Sequence, residues 1–160
     1  MTTPVFEAIR ARLDQASVPY RHVHHEPTPT SEDSARARGE PLEVGGKALL
    51  LKAGARFCLL VISAARRADS KALRKALGVR KLRFASRDEL AEQTGLVPGS
   101  VPPFGRPILP YELYVDRSAL ANERIAFNAG SLTDSIILAT DDYRRVAEIT
   151  EVVDVAKPAG

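Results

Sequence analysis

Residues 46–62 read GKALLLKAGARFCLLVI, and this stretch decides the fold. Two mainly apolar runs, 47–52 and 57–62, are separated by four residues that include Gly54. Apolar runs of this length on either side of a glycine-containing turn are typical of a β-hairpin. The sequence therefore predicts a hairpin of two well-buried strands.

Helices and short strands are predicted on both sides of this hairpin without a regular alternation. Apolar residues at helical spacing predict a first helix between Pro4 and Pro19, and polar caps with glycine stops predict three more, over 31–38, 70–77 and 87–94. Further strands are expected at 20–24, 81–85, 112–116, 124–128, 135–140 and 151–155. This mixture indicates an α+β (mixed α/β) fold with flanking helices around one curved, mixed and largely antiparallel sheet.

The end of the chain is predicted to contain one last helix. Asp141 or Asp142 is expected to cap it, and the helix is expected to reach about Ile149. The tail from Lys157 to Gly160 is expected to be frayed.

Length and composition limit the class of protein. The 160 residues are predicted to form a single domain, 1–160, with 44% hydrophobic and 27% charged residues, as in ordinary soluble globular proteins. No apolar run approaches the roughly 20 residues of a membrane helix, and the N-terminus has no signal-peptide pattern. We therefore expect no membrane partner. The single cysteine, Cys58, excludes an intramolecular disulfide, so we expect a cytoplasmic location.

Positive charge is concentrated in one segment. Between Arg66 and Arg87 lie nine basic residues and one acid, Asp69, which gives a local charge of +8, whereas the rest of the chain carries −5. Such asymmetry is typical of a surface that binds a polyanion, although a helix with a solvated basic face explains the charge equally well. The residues expected to face nucleic acid are Arg66, Arg67, Lys71, Arg74, Lys75 and Arg80.

Three histidines, His22, His24 and His25, are the candidate metal ligands. On a strand His22 and His24 share one face and His25 lies on the other, so only two could converge locally. No zinc, EF-hand, phosphate-loop or dinucleotide motif supplies further ligands. We therefore expect no metal and no cofactor, with a metal hydrolase using His22 and His24 as the alternative.

Lys47 and a long proline- and glycine-rich loop are the candidate site. Lys47 follows Gly45 and Gly46 at the start of an apolar strand, where its ammonium could hold a phosphate or a carbonyl oxygen. A strand-end lysine that simply reaches solvent is the other interpretation. The loop over 95–110 could bring backbone N–H groups close to a ligand, or it could be a stiff surface loop.

Five short blocks occur in a specific order along residues 20–142. They are Thr30-Ser31-Glu32, GKALLL from Gly46, Asp69-x-Lys71, TGLVPGSVPPFG over 94–105, and FNAG over 127–130. This ordered set resembles the YbaK/prolyl-tRNA-synthetase-associated editing-domain family. The resemblance implies a curved mixed sheet, no metal, and hydrolysis of the ester that joins an amino acid to the 3′-terminal adenosine of tRNA.

The resemblance also implies roles for individual residues. Lys47 corresponds to the family's central functional residue, which positions the 3′ end of the substrate. The glycine turns at 99–101 and at Gly130 are implied to contact the aminoacyl group, and the segment around Thr30 is implied to line its pocket. The substrate-binding residues expected from the resemblance are Thr30, Gly99, Ser100, Val101 and Gly130. Ser131 and Asp134 are added because their polar side chains could recognise the substrate amino group or a hydroxyl.

The resulting prediction is a free-standing, trans-editing aminoacyl-tRNA deacylase. It is expected to remove a small amino acid such as alanine, serine, threonine or cysteine, and its expected partner is the 3′-CCA end of mischarged tRNA. An aminoacyl-tRNA synthetase is a further candidate partner, and the chain is expected to be a monomer or a homodimer. The alternative is a non-catalytic tRNA- or synthetase-binding module with the same fold.

Overall fold

The computed structural model describes residues 2–159, and within them five α-helices and ten strands. The helices are α1 Pro4–Gln15, α2 Ser31–Arg38, α3 Ser70–Leu77, α4 Arg87–Thr94 and α5 Thr140–Val146. The strands are β1 Arg21–His24, β2 Gly46–Ala53, β3 Arg56–Ser63, β4 Arg66–Ala68, β5 Leu82–Phe84, β6 Leu113–Asp116, β7 Arg124–Asn128, β8 Asp134–Ala139, β9 Glu151–Val153 and β10 Ala156–Pro158. In this range no helix has both the length and the apolar character that a membrane span requires.

The predicted hairpin is confirmed and forms the centre of a five-stranded mixed sheet. The strand order is β5-β2-β3-β6-β9, with β2 antiparallel to β3 and Lys47 opposite Ile62. Strands β3, β6 and β9 run parallel to one another. The predicted α+β class is therefore confirmed, with a larger parallel share than expected.

Two smaller sheets accompany the central one, where the sequence predicted one curved sheet. Strands β1, β8 and β7 form an antiparallel sheet, and β4 pairs with β10. An isolated β-bridge between Gly45, the residue before β2, and Ala126 of β7 joins the three-stranded sheet to the central one. The start of β2 therefore lies beside the end of β7, and this junction positions the site described below.

The central sheet separates two hydrophobic cores. Along β3, Leu59 and Val61 belong to the core with α1, α4 and α5, whereas Leu60 and Ile62 belong to the core with α3. A strand buried on both faces requires apolar residues at consecutive positions, which explains the unbroken run in residues 57–62.

Polar caps and glycine stops define three of the helices as predicted. The Thr30 hydroxyl accepts from the Asp33 amide at the start of α2, and α4 opens with the predicted capping box of Ser86 and Glu89. Each of α2, α3 and α4 is followed by a glycine in the left-handed region.

Two predictions about the end of the chain are wrong. Helix α5 runs from Thr140 to Val146, and the predicted caps Asp141 and Asp142 lie within its first turn, because the N-cap residue is Ala139, whose methyl group cannot cap. The tail is not frayed at 156–158, since Asp116 accepts from the Val155 and Ala156 amides at 2.6 and 3.1 Å and aligns β10 with β4. Gly160 lies outside the described residues.

Candidate active site

An open cleft of about 240 Å³ lies at the start of strand β2. Its walls come from helix α2 and the segment that leads into it, the start of β2, the loop after α4, and the end of β7. Of the predicted residues, Thr30, Lys47, Gly99 and Val101 line it. The sheet junction thus brings together residues that are as far apart in the sequence as Thr28 and Asn128.

Lys47 is the cation at the mouth of this cleft. Its side chain is half-buried, and its Nζ donates a long hydrogen bond of 3.4 Å to the Arg66 carbonyl. Burial lowers the pKa of Lys47, Glu32 raises it, and Arg67 lowers it again, with a net decrease. Lys47 has no carboxylate ion pair within residues 2–159, so its ammonium can serve a ligand.

A second cation, Arg38, lies buried in the wall of the cleft. Only 6% of the residue is exposed, and burial lowers the pKa of its guanidinium to about 10. Its Nη2 donates to the Asn128 Oδ1 at 3.0 Å, and its Nε donates to the Ser135 Oγ at 3.2 Å. The acceptors of its hydrogen bonds are therefore neutral oxygens, and the carboxylate of Glu40 stabilises the charge only by its Coulombic attraction.

Asn128 connects Arg38 to the opposite wall. Its Nδ2 donates to the Gly99 carbonyl at 2.9 Å and approaches the Thr28 and Ser34 hydroxyls at 3.4 Å. The Ser34 hydroxyl in turn donates to the Thr28 Oγ1 at 2.8 Å. The inner wall of the cleft is consequently a polar network in which side chains from β7 and α2 fix the loop at Gly99.

The loop that carries Gly99 is held by its own hydrogen bonds. Gly99 has a φ of +89°, which favours glycine, and the Ser100 hydroxyl bonds both the amide and the carbonyl of Val97. Further along, the buried Tyr143 hydroxyl donates to the Pro103 carbonyl at 2.7 Å. These contacts make the loop an ordered wall of the cleft.

Four of the predicted substrate-binding residues do not line the cleft. Ser100 is buried within the loop turn, and Gly130 contacts α1. At Gly130 φ is +73°, a Cβ would lie 2.6 Å from a Val5 methyl, and the carbonyl accepts from the Thr3 hydroxyl. The glycine is thus explained by close packing of the helix N-terminus, and the remaining two residues, Ser131 and Asp134, lie in a separate network.

Asp134 joins strand β8 to strand β1. Its Oδ1 accepts from the His22 Nε2 at 2.8 Å and from the His24 Nδ1 at 2.9 Å, because an ionised carboxylate can only accept. Ser131 and Thr133 donate to its other oxygen. Burial raises the pKa of Asp134, but these hydrogen bonds together outweigh burial and lower the pKa to about 2.

Each of the three histidines forms hydrogen bonds to neighbouring residues through at least one ring nitrogen. His22 and His24 use the ring nitrogens that face Asp134 in these bonds, and His25 bonds to Ser135 and to the Glu26 carbonyl. In residues 2–159 no group of three His, Cys, Asp or Glu side chains is arranged to hold a metal ion.

The basic segment begins at the cleft mouth and runs away from it. Arg66, whose carbonyl accepts from Lys47, is exposed, as are Arg67, Lys71, Lys75 and Arg80, and Arg74 is half-buried. Within the described chain, Arg83 is the one basic residue of 66–87 that forms an ion pair, to Glu89. Most of this charge is therefore available to a polyanion.

Two residues of the cleft, Arg38 and Asn128, were missed by the sequence analysis. Nothing in the charged sequence of α2 distinguishes a buried arginine from its exposed neighbours. Asn128 lay within one of the quoted blocks, but it was interpreted as part of a glycine turn. The signal that could have identified it is a polar residue at the end of an apolar strand.

The lining of the cleft limits its chemistry. It contains hydroxyls, an amide, two cations and backbone groups, and no histidine, cysteine or carboxylate is among the lining residues. Such a site can orient an activated ester and stabilise an oxyanion, and it offers no side-chain base in this wall.

A family model and two known proteins that this chain resembles are all connected with aminoacyl-tRNA. Residues 25–146 match the family model of the aminoacyl-tRNA editing domain. The chain is 36% identical over 155 residues to the multifunctional Ser/Thr-tRNA deacylase ProXp-y of Escherichia coli K12, covering 93% of this chain and 91% of that protein. It is 26% identical over 147 residues to the prolyl-tRNA editing protein ProX of Acetoanaerobium sticklandii, covering 89% and 90%.

A solved structure shows the same fold. The crystal structure of a proposed trans-editing enzyme for prolyl-tRNA synthetase superposes with a TM-score of 0.82, at 21% identity and over 100% of both chains. The family match spans most of the chain and includes the cleft around Lys47. The chain therefore belongs to the aminoacyl-tRNA editing domain family.

Proposed function

We propose that this protein is an aminoacyl-tRNA deacylase that acts in trans and hydrolyses the ester of serine or threonine wrongly attached to tRNA. The observation that carries the proposal is the cleft itself, where a lysine ammonium that has no carboxylate partner among residues 2–159 faces a polar inner wall. The name of the Escherichia coli relative, a Ser/Thr-tRNA deacylase, supports the same substrates.

Lys47 is the residue that holds the 3′ end of the substrate. The end of tRNA offers phosphate, hydroxyl and carbonyl oxygens, and an ammonium binds such oxygens as a compact point charge. The positive charge of Arg67 beside it adds to the attraction for the polyanion. Thr30 and the Gly99–Val101 turn then enclose the aminoacyl group between them.

The inner wall favours an amino acid with a hydroxyl group. Thr28, Ser34 and Asn128 present donors and acceptors that already exchange hydrogen bonds with one another. A serine or threonine hydroxyl can donate to and accept from this network, whereas the methyl group of alanine can form no hydrogen bond with it. The cleft therefore discriminates by hydrogen bonding as well as by size.

The reaction needs orientation more than a nucleophilic side chain. A water oxygen attacks the ester carbonyl carbon, the tetrahedral intermediate collapses, and the bond to the ribose 3′ oxygen breaks. The proton lost by water ends on that oxygen, so the products are the free amino acid and uncharged tRNA. Lys47 and the amides of Gly99 and Val101 are the groups that stabilise the negative charge on the oxygen.

The proposed activity also suggests where the protein works and which partners it has. The chain aligns with about nine-tenths of each of its two relatives, which supports action on released tRNA without an attached synthetase body. A cytoplasmic location, where tRNA is charged, fits this role. A synthetase that hands over mischarged tRNA is the expected protein partner, and the protein acts as a monomer or a homodimer.

A panel of mischarged tRNAs tests the proposal. Seryl- and threonyl-tRNA should be deacylated well above the spontaneous rate, and faster than the alanyl, cysteinyl and prolyl esters. Lys47→Ala should lower kcat/KM by about 100-fold or more, the loss typical of removing one group that stabilises an oxyanion. Lys52→Ala is the matched control, because Lys52 lies on the same strand outside the cleft and contacts the Phe57 ring.

Two outcomes would contradict the proposal. If the protein binds tRNA but deacylates no ester of the panel, it is a non-catalytic binding module. If Lys47→Ala and Lys52→Ala have the same activity, Lys47 does not carry the reaction.

A further inference from the structure

A second recess of about 110 Å³ adjoins the cleft and has a different character. The two share Ala48 and Leu49 of β2 and the Pro98-Gly99 turn, so they form one continuous groove on either side of this turn. The second recess is lined mainly by apolar groups, including Leu90 and the ring of Phe84. A ligand seated in the cleft can thus extend into it.

Exposed apolar side chains are concentrated at this recess. Phe84 is 48% exposed and Val97 is 46% exposed, and they are two of the three large hydrophobic residues in the described chain that face solvent to this extent. Phe84 lies on the edge strand β5, opposite Leu51, and Val97 precedes the shared turn. An exposed aromatic ring beside an apolar recess is typical of a binding surface.

The charged side chain that lines the recess is basic. Arg87 lines it, and the neighbouring Lys81 and Arg83 belong to the basic segment. Arg87 is exposed and has no ion pair within residues 2–159, whereas Arg83 pairs with Glu89. A ligand that combines a flat apolar group with a phosphate suits this arrangement.

We infer that the second recess binds the adenine base of the 3′-terminal nucleotide, which stacks on Phe84 while Arg87 faces the adjacent phosphate. This inference rests on the proposed function, which places the ester carbonyl in the cleft and so requires a place for the nucleoside attached to it. The continuity of the two recesses supplies that place. A third cavity, of about 460 Å³, is bordered by two acids, Glu123 and Asp141, and by one base, Arg144, so its lining is less suited to a polyanion.

Adenosine monophosphate is the direct probe, because its binding is measured without any reaction. In a nuclear magnetic resonance titration of the whole protein at millimolar nucleotide, it should shift the backbone amides of residues 84–90 and 97–101. Uridine monophosphate should bind more weakly, since a pyrimidine offers less surface for stacking. Phe84→Ala should weaken adenosine monophosphate binding about 5- to 100-fold, and Phe84→Trp should restore it.

Kinetics give the second readout. Phe84→Ala should raise the KM for seryl-tRNA with little change in kcat, because stacking stabilises the bound substrate and the transition state alike. Val152→Ala is the matched control, since Val152 is also exposed, at 40%, but lies on β9 at the opposite edge of the same sheet.

The outcomes separate this inference from the proposed function. If adenosine monophosphate shifts no amide of the recess, or if Phe84→Ala behaves like Val152→Ala in both experiments, the inference is wrong even where deacylation is intact. If the nucleotide binds at Phe84 but no ester is hydrolysed, the recess is a nucleobase site and the proposed reaction is wrong.

Discussion

The two cations of the cleft, Lys47 and Arg38, differ in what surrounds them. Lys47 is half-buried with one long hydrogen bond, while Arg38 is buried and held by neutral acceptors. Asn128 is the residue on which both walls depend, because its carbonyl oxygen accepts from Arg38 and its amide donates to Gly99. One side chain therefore couples a buried charge to the position of the loop.

Two substitutions at Asn128 separate these roles. Asn128→Ala removes both bonds and should lower the free energy of unfolding by about 1–3 kcal/mol, the cost of leaving a buried group unsatisfied. Asn128→Asp keeps an acceptor for Arg38 but, when ionised, cannot donate to the Gly99 carbonyl. Its stability should exceed that of the alanine variant, whereas its kcat/KM should stay at least about tenfold below wild type.

Urea unfolding and deacylation of seryl-tRNA measure the two effects. Asn122→Ala is the control, because Asn122 donates to the Glu43 carbonyl away from the cleft. Full activity in Asn128→Asp would mean that the bond to Gly99 is not needed for catalysis.

At the scale of residues, the sequence allowed the lysine and the loop to be predicted but not the buried partners. Lys47 and Gly99 stand out because a lysine after two glycines, and a loop dense in proline, are unusual patterns. Arg38 could not be recognised, since its burial depends on the pairing of β7 with β8, which is not encoded locally. Asp134 was assigned to the substrate because a polar residue after a glycine turn resembles a ligand, and the sequence does not show that two histidines face it.

At the scale of elements, Asp134 is what fixes β1 on the sheet. Strand β1 has only four residues and pairs with β8 alone, and both of its histidines that face Asp134 bond to one carboxylate oxygen. The pairing of a short edge strand is thus supported by a charged side-chain contact. Its strength depends on the ionisation of that carboxylate.

The folded-state pKa of Asp134, about 2, predicts a specific pH dependence of stability. Because this pKa lies below the ordinary value of 3.8, the carboxylate stabilises the folded state above about pH 4, and this contribution is lost as pH falls through about 2. The shift corresponds to about 2 kcal/mol. Between pH 5 and pH 2, wild type should therefore lose about 2 kcal/mol more unfolding free energy than Asp134→Asn.

Urea unfolding of both proteins across this range gives the difference directly, so that other titrating carboxylates cancel. Asp154→Asn, at an exposed aspartate paired with Arg117, controls for the removal of one surface charge. Parallel stability curves for wild type and Asp134→Asn would show that Asp134 does not hold β1 in this way.

Helix boundaries were predictable where local hydrogen bonds determine them. Strands were missed where contacts between distant parts of the chain determine them. Thr30, Asp69 and Ser86 cap their helices through bonds to amides two or three residues away, which a sequence pattern shows directly. Strand β10 forms because Asp116, forty positions earlier, orients its backbone toward β4. A contact of that separation leaves no periodic signal in a three-residue strand.

At the scale of the whole molecule, the basic segment 66–87 passes both ends of the groove. It begins at β4, where the Arg66 carbonyl contacts Lys47, and it ends at Phe84 and Arg87 in the second recess. The exposed cations of α3 lie between these points in the sequence. A nucleic acid whose 3′ end occupies the groove can therefore contact this positive surface with its phosphates.

Removing three positive charges of the basic segment tests whether this segment contacts the phosphates of tRNA. In the combined variant Arg74→Ala, Lys75→Ala and Arg80→Ala, the affinity for tRNA should fall and the slope of log K against log salt should decrease by about one for each residue that contacts a phosphate. The matched control replaces three exposed arginines elsewhere, Arg117, Arg144 and Arg145, with alanine, so that the net charge changes equally.

If binding depended on net charge alone, both triple variants would weaken it to the same extent. If the basic segment is the tRNA surface, the first variant alone should flatten the salt dependence. It should also raise the KM for seryl-tRNA while leaving adenosine monophosphate binding unchanged, because the mononucleotide reaches only the groove. Equal salt slopes for wild type and the first variant would exclude Arg74, Lys75 and Arg80 from the tRNA interface.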